Sequence, residues 1–400
     1  MKVIIVGAGI GGLTAALCCR HFGHDVVILE KHPKISEVGA GIQISPNAMK
    51  VFETLGLERI FEKHSFMPEH IETRVGRTGK QVFSIPLGDN AVHRWGSPYY
   101  HLHRADLIDA LMAEVKRTDK ISIQLGHNVS GYQQIEDKVH ADLSNGSEVI
   151  GDALIGADGI HSKIRENMLG KDHPRFTGYM AWRAVVPIGK LGELAPAPTA
   201  CAWMGQKRHC VTYRLRGGTL ANFVGVIEKD DWQGESWTEQ GHKDEALSDF
   251  ASWHPTLLKL IENADELYKW ALFDRAPLKQ WVEGHVALMG DAAHPMLPFR
   301  AQGAAQAIED SWVLARELSK PDIAHALKSY QSIRLERASK LQKASRNAAK
   351  IFHRKNRLEQ SLFHGSLYAL SKVWPEALHR TQDYTYGYDV TSKQHSGLRG

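Results

Sequence analysis

Cysteine is scarce in this chain. Cys18, Cys19, Cys201 and Cys210 are the only four in 400 residues, and none falls in a CxxC pair. The 22 histidines show no HxxxH or HExxH spacing. A disulfide framework and a structural metal site are both disfavoured, which suits a reducing compartment. An excess of one charge is missing as well, since 49 Lys and Arg against 45 Asp and Glu leave only +4. That balance gives no reason to expect a nucleic-acid partner; it permits an anionic small molecule without requiring one. Long apolar runs are also absent. The longest uncharged one, Val3 to Cys19, has 17 residues with four glycines in its middle, and Lys2 is the only basic residue before it. It is short for a membrane span and lacks the basic start and Ala-x-Ala end of a signal peptide. The expectation is a soluble, cytoplasmic chain. Its 43% hydrophobic and 24% charged residues are those of a globular protein.

What the sequence does contain is a change of period within its first 30 residues. Lys2 to Val6 is a β-branched run, Gly7 to Gly12 a glycine cluster, and Leu13 to Phe22 a segment of helix length. Gly23-His24 breaks the helix, and Asp25 to Glu30 is a second β-branched run. This is one β-α-β unit, with a right-handed crossover expected. Gly7, Gly9 and Gly12 form Gly-x-Gly-x-x-Gly between its strand and helix. The first glycine makes the tight turn, the second lets backbone approach a pyrophosphate, and the third lets helix pack on strand. The helix N-terminus adds partial positive charge. Glu30 is placed to accept hydrogen bonds from a ribose, and Lys31 beside it is assigned to the same cofactor. A carboxylate there argues against a 2′-phosphate, favouring FAD or NAD(H) over NADP(H).

Further along, Asn47 to Leu55 and Arg104 to Arg117 read as helices, the second with Leu107, Leu111 and Val115 at four-residue spacing. Asn145-Gly146 between two β-patterned runs is a hairpin signal. Leu154 to Ala157 and His285 to Met289 read as buried strands. Residues 178 to 227 are strand-rich, carrying Tyr179, Trp182, Trp203 and Tyr213, and suggest a mostly antiparallel sheet in a separate lobe. A long helix begins near Gly303, and the chain is predominantly helical from about Asp322.

Two of these strands end in chemistry. Gly156-Ala157-Asp158-Gly159-Ile160-His161-Ser162-Lys163-Ile164-Arg165 follows one, and Gly290-Asp291-Ala292-Ala293-His294-Pro295 follows the other. With the N-terminal fingerprint they resemble the three-motif signature of single-component FAD-dependent aromatic hydroxylases, the relatives of para-hydroxybenzoate and salicylate hydroxylase. The resemblance runs from Lys2 to about Ser345, in order and spacing. It implies non-covalent FAD, with Asp291 on a ribitol hydroxyl, Arg104 on the pyrophosphate and Asp158 near the phosphates. It also implies that Gly41, within Gly39-Ala40-Gly41-Ile42, lets backbone pass the flavin ring, and that Gly303 and Ala304 open a helix whose amides face that ring. The plainer reading of Asp291, Asp158 and Arg104 is caps and turns.

Strand alternation over Arg208 to Tyr213 puts His209, Val211 and Tyr213 on one face. In the salicylate and hydroxybenzoate branch, a histidine and tyrosine so spaced point into the substrate pocket. A histidine near its ordinary pKa of about 6.5 suits removal of a phenolic proton; a histidine packed in the sheet is the alternative. Pro298 to Gly303 resembles the loop over the flavin ring, which places Gln302 at the reacting centre. Arg300 is open between a substrate carboxylate and an outward contact. Arg334, Arg337, Lys340, Lys343, Arg346, Lys350, Arg354, Lys355 and Arg357 form a basic stretch with Glu336 as its only acid. Leu341, Ala344, Ala348 and Ile351 give it an apolar stripe, so an amphipathic helix with a solvated basic face is expected, with anionic lipid or a partner as the other reading.

The fold expected is α/β: a discontinuous Rossmann-type FAD-binding domain over 1–177 and 277–352, an inserted strand-rich substrate domain over 178–276, and a helical extension over 353–400. The activity implied is a monooxygenase. NADH or NADPH, as a transient donor, and O₂ as co-substrate would hydroxylate a small phenolic aromatic, such as a salicylate, hydroxybenzoate or hydroxynicotinate, through a flavin hydroperoxide. The alternative is an FAD-dependent reductase or dehydrogenase of the same fold without oxygen transfer. Substrate-stimulated O₂ uptake separates the two.

Overall fold

The strand Lys2–Val6 lies at the centre of a six-stranded sheet because its apolar residues are buried on both faces. The order across the sheet is Val282–Glu283, Val286–Leu288, Ala153–Gly156, Lys2–Val6, Asp25–Glu30 and Ile121–Leu125, all parallel except the first pair. The computed structural model describes residues 1–35, 41–229, 239–354 and 356–392. The helices Ile10–His21, Arg104–Arg117 and Gly303–Glu317 pack beside this sheet, and the side chains between them form the largest core. A small three-stranded sheet contains the hairpin of Lys138–Leu143 and Glu148–Gly151, turned at Asn145-Gly146.

The second lobe is a seven-stranded sheet in the order Tyr268–Asp274, Arg175–Pro187, Leu220–Glu228, Arg208–Leu215, Ala200–Gly205, His70–Val75 and Gln81–Pro86. Its last two strands correct the sequence-based boundary. They lie far upstream of residue 178, inside the segment assigned to the FAD-binding part, and join through parallel pairing of His70–Val75 with Ala200–Gly205. A parallel partner needs no hairpin, so no local turn signal announces it. Trp182, Trp253, Phe223 and Phe250 fill the core on one face of this sheet. The other face closes over the first lobe.

The basic stretch is helical, within Ile323–Phe352, but its expected solvated face is only partly so. Lys340, Lys343 and Lys350 are exposed, whereas Arg334 and Arg337 are buried. Arg334 pairs with Glu309 and Asp310, and Arg337 with Glu309. These partners sit on the preceding helix, Gly303–Glu317, whose apolar surroundings leave both carboxylates needing cations. Lys355 and the Arg357 side chain lie outside the described residues. No described helix is long and apolar enough to cross a membrane.

Candidate active site

The glycine cluster is shaped by backbone contacts. Gly7 has φ of +104°, and a Cβ there would meet the Ala157 carbonyl oxygen at 2.6 Å. A Cβ on Gly12 would lie 2.0 Å from the Gly7 carbonyl oxygen, so the helix can approach the strand only without it. At Gly9 the same position is open space. Gly9 caps the helix Ile10–His21 with no side-chain bond, leaving the first amides of that helix without intrahelical acceptors. They border a cavity of about 150 Å³ lined by Gly9, Gly11, Ala157, Gly159, Gly290 and Asp291, among others.

That space meets a larger cavity of about 530 Å³, the two sharing Arg104, Asp291, Gly303 and Ala304. Asp291 follows the strand Val286–Leu288 and opens onto both. Surrounding protein pushes its carboxyl up from the usual carboxylate range, while His294 and Arg104 pull the other way. Its side chain is nevertheless open to the cavity, as an acceptor for a sugar-like hydroxyl must be. The loop that carries it is fixed from behind. Asp310 accepts from the Gly290 amide at 3.0 Å and from His294 Nε2 at 2.5 Å, and Arg334 completes the group.

In the larger cavity, His209, Val211 and Tyr213 line one wall, as alternation predicts, while Cys210 faces the opposite core. Ile71, Thr73, Phe83 and Ile85 line it too, from the two upstream strands that sequence reading left out of this lobe. Tyr213 approaches the backbone of Gly41 so closely that a Cβ there would lie 2.4 Å from its ring, and Gly41 donates its N–H to Asn222 at 2.9 Å. Gly39 and Ala40 lie outside the described residues. Burial raises the Tyr213 hydroxyl above its ordinary range, so it stays protonated. Arg104, Arg183 and Arg300 line the cavity against a single carboxylate, Asp291, among the described lining residues.

Four sequence-based assignments meet a different geometry. Gln302 is buried and does not line the cavity: its amide donates to Ser45 at 3.0 Å, and its carbonyl oxygen accepts from Asn47 at 3.2 Å. It anchors the loop from inside, next to Ala301, which adopts the left-handed φ of +50°. Asp158 spends one oxygen on the amides of Lys163 and Ile164, at the start of the helix Lys163–Leu169, and lines neither cavity. Its neighbours Ala157 and Gly159 border the smaller cavity instead. Glu30 accepts from the amides of Ala8 and His32, each at 2.9 Å, tying the glycine loop to the strand end, and Lys31 is exposed beyond it. His209 is buried, and burial together with His353 holds it well below the ordinary histidine range, not near 6.5. His353 itself, 2.6 Å from His209, was missed by sequence reading because it lies 144 residues away.

The site fits a flavin dinucleotide. The open position at Gly9, the uncapped helix starts at Ile10 and Gly303, and the cavity-facing carboxylate of Asp291 lie along one connected space. Residues 1–345 match the family described as FAD binding domain. The chain is 36% identical to 3-hydroxybenzoate 6-hydroxylase 1 of Aquipseudomonas alcaligenes, over 88% of this chain and 90% of that protein. It is 37% identical to 6-hydroxynicotinate 3-monooxygenase of Pseudomonas fluorescens, over 86% and 90%. Among solved structures, a salicylate hydroxylase substrate complex superposes with a TM-score of 0.81 at 28% identity, covering 98% of this chain and 96% of that one. Klebsiella pneumoniae HpxO complexed with FAD and uric acid gives 0.82 at 29%, covering 92% and 93%. The chain belongs to the FAD-binding family of single-component aromatic hydroxylases.

Proposed function

We propose that this protein hydroxylates a small aromatic ring already carrying a hydroxyl and a carboxylate, using NADH or NADPH and O₂. The observation that carries the reading is the meeting of the two cavities at Asp291: the space bordered by the glycine loop opens there into an apolar one walled by His209 and Tyr213. FAD, when bound, accepts reducing equivalents from the nicotinamide and activates O₂ for transfer to the ring.

The residues of this chain bind, orient and exclude water. Backbone of Gly7 to Gly12 would receive the pyrophosphate, Arg104 would neutralise it, Glu30 would offer the ribose the lone pairs left over from the Ala8 and His32 amides, and Asp291 would take a ribitol hydroxyl. The amides of Gly303 and Ala304 face the ring end. Apolar walls around His209 keep solvent from the reacting atoms. His209 accepts the substrate hydroxyl proton, which makes the ring more electron-rich, and Tyr213 donates a hydrogen bond that orients it. With Arg104 given to the pyrophosphate, Arg183 and Arg300 favour an anionic substrate, with Arg300 as the carboxylate contact. The four cysteines, all free and buried, suit work in the cytoplasm.

The test is a panel of 3-hydroxybenzoate, 6-hydroxynicotinate, salicylate and their deoxy analogues, assayed for NAD(P)H oxidation, O₂ uptake and product. Hydroxylation confined to ring-hydroxylated acids is expected. His209→Ala is expected to lose about 10²–10⁴-fold in hydroxylation rate while retaining flavin. NAD(P)H oxidation without O₂ uptake or an oxygenated product would instead identify a reductase.

A further inference from the structure

Between the aromatic cavity and the molecular surface lies a histidine that the reaction described above does not use. His353 follows the helix Ile323–Phe352, its N–H donating to the Ala349 carbonyl at 2.9 Å. Its Nε2 is 2.6 Å from Nδ1 of His209. Its own Nδ1 is buried with no hydrogen-bond partner among the described residues and lies 3.9 Å from Oε1 of Glu228, whose side chain is 22% exposed at the end of the strand Leu220–Glu228. Around the pair, Tyr179 stands edge-on to His353 at 5.0 Å, and Phe299 and Phe352 flank His209 at 5.2 and 4.9 Å. Arg208 precedes His209 and Arg354 follows His353 in the chain.

These surroundings make an imidazolium costly on either ring. Burial lowers His209 well below its ordinary range, and burial with Arg208 brings His353 to about 3. A base that must keep the proton it takes is poorly served here. A base that passes the proton on avoids that cost, and the second ring is at hydrogen-bonding distance to receive it. With Nδ1 of His209 committed to His353, Nε2 is the nitrogen left for the cavity that His209 lines.

We propose that His209, His353 and Glu228 form a proton exit from the cavity to the surface, a reading that rests on His209 meeting the substrate hydroxyl. Both rings begin protonated on Nδ1. The substrate O–H bond breaks, its electron pair stays on the ring oxygen, and the proton bonds to His209 Nε2. The proton on His209 Nδ1 passes to His353 Nε2, and that on His353 Nδ1 passes to the Glu228 carboxylate and on to water. Each imidazole ends neutral in its other tautomer. Reverse transfer to the product oxygen resets both. The 3.9 Å gap closes by rotation of the part-exposed Glu228 side chain.

The experiment uses flavin-loaded enzyme with 3-hydroxybenzoate, 6-hydroxynicotinate and salicylate, measuring kcat, KM, product formed per NAD(P)H and the solvent deuterium isotope effect. His353→Gln keeps a polar partner for His209 but cannot pass a proton; Glu228→Gln removes the terminal acceptor near the surface. Each is expected to lower hydroxylation kcat by about 10²-fold and to enlarge the isotope effect, with KM and flavin content unchanged. In His353→Gly, added imidazole is expected to restore turnover, whereas thiazole, the same ring shape without a second nitrogen, does not. Equal recovery with both would make His353 a packing residue and overturn the proposal. So would wild-type kcat in His353→Gln or Glu228→Gln while His209→Ala remains slow, an outcome that leaves His209 as the base. Unchanged coupling in His209→Ala would overturn the base assignment itself.

Discussion

At the glycine-loop end of the cavity, most groups facing the space are backbone, and they come from short runs around Gly9, Gly159 and Gly290. At the ring end they are side chains, contributed by segments as far apart as Ile71, His209 and Phe352. A backbone-made site requires glycine at fixed offsets between a strand and a helix, so it leaves a contiguous pattern. A side-chain-made site requires only that distant strands bring their faces together, and leaves local alternation within a strand but nothing that links the strands to one another. Substitution should therefore act differently at the two ends: through the fold at one, through substrate at the other.

The largest effect is expected behind both ends, where Arg334 and Arg337 meet Glu309 and Asp310. Arg334→Met removes the guanidinium that Glu309 shares with Arg337 and Asp310 with His294, and should cost about 3–5 kcal/mol in chemical denaturation, with weaker FAD binding because Asp310, which holds the Gly290 loop, loses its arginine. The same network sets an acid limit. Glu309 and Asp310 are each lowered to about 2, the opposing arginines and, for Asp310, His294 outweighing the burial that would raise them. Their folded-state values lie below their unfolded ones, so their contribution is fully present above about pH 5. It is lost as pH falls toward 2, because the unfolded chain takes up protons that the native one cannot. Stability that stays flat from pH 5 down to pH 2.5 would contradict this.

That network also marks where legibility stopped. The strands Lys2–Val6 and Asp25–Glu30 and the helix Arg104–Arg117 have the bounds their sequence patterns give, because local period and burial agree there. From sequence Arg334 and Arg337 look solvated, because Glu336 is the only acid in their basic stretch. Their partners are Glu309 and Asp310, two adjacent acids on a helix otherwise buried along most of its length. Such acids demand cations, and that signal was available. Gln302 lay in a recognisable loop, but no sequence feature says whether a side chain at a helix start turns toward the cavity or, as here, toward Ser45 and Asn47. His209 was found by alternation; its partner His353 and the strand His70–Val75 depend on long-range packing alone.

One substitution made at both ends separates them directly. Gly12→Ala places a methyl against the fixed Gly7 carbonyl oxygen, a clash backbone cannot relieve cheaply. It should cost toward the upper end of about 1–3 kcal/mol in stability and deplete FAD. Gly41→Ala meets the far end of the Tyr213 ring, a side chain where Gly12→Ala meets backbone. Thermal denaturation should change less for it, while KM for the aromatic substrate rises. Equal losses of stability would remove the distinction.

Asp291 stands where the two ends join, so its effect should be intermediate and confined to cofactor. Asp291→Ala deletes an acceptor of hydrogen bonds worth about 1.5–3 kcal/mol to a charged group. A weaker FAD dissociation constant by about 10- to 150-fold is expected in fluorescence titration, with the apoprotein folded. Unaltered FAD affinity would take Asp291 out of the cofactor site.

The smallest effect belongs to the ring end alone. Tyr213 remains protonated because burial raises its pKa, so what it offers a substrate is a neutral O–H donor, held in place by the ring contact with His101 at 4.7 Å and by the backbone at Gly41. Tyr213→Phe keeps that packing and removes one neutral hydrogen bond, worth about 0.5–1.5 kcal/mol. KM for a hydroxylated aromatic acid should rise by no more than about tenfold, with FAD content and thermal stability at wild-type values. The deoxy analogue, which has no hydroxyl to receive the bond, should bind the variant and the wild type equally. If the variant loses affinity for both ligands in parallel, the hydroxyl of Tyr213 shapes the wall of the cavity and does not read the substrate.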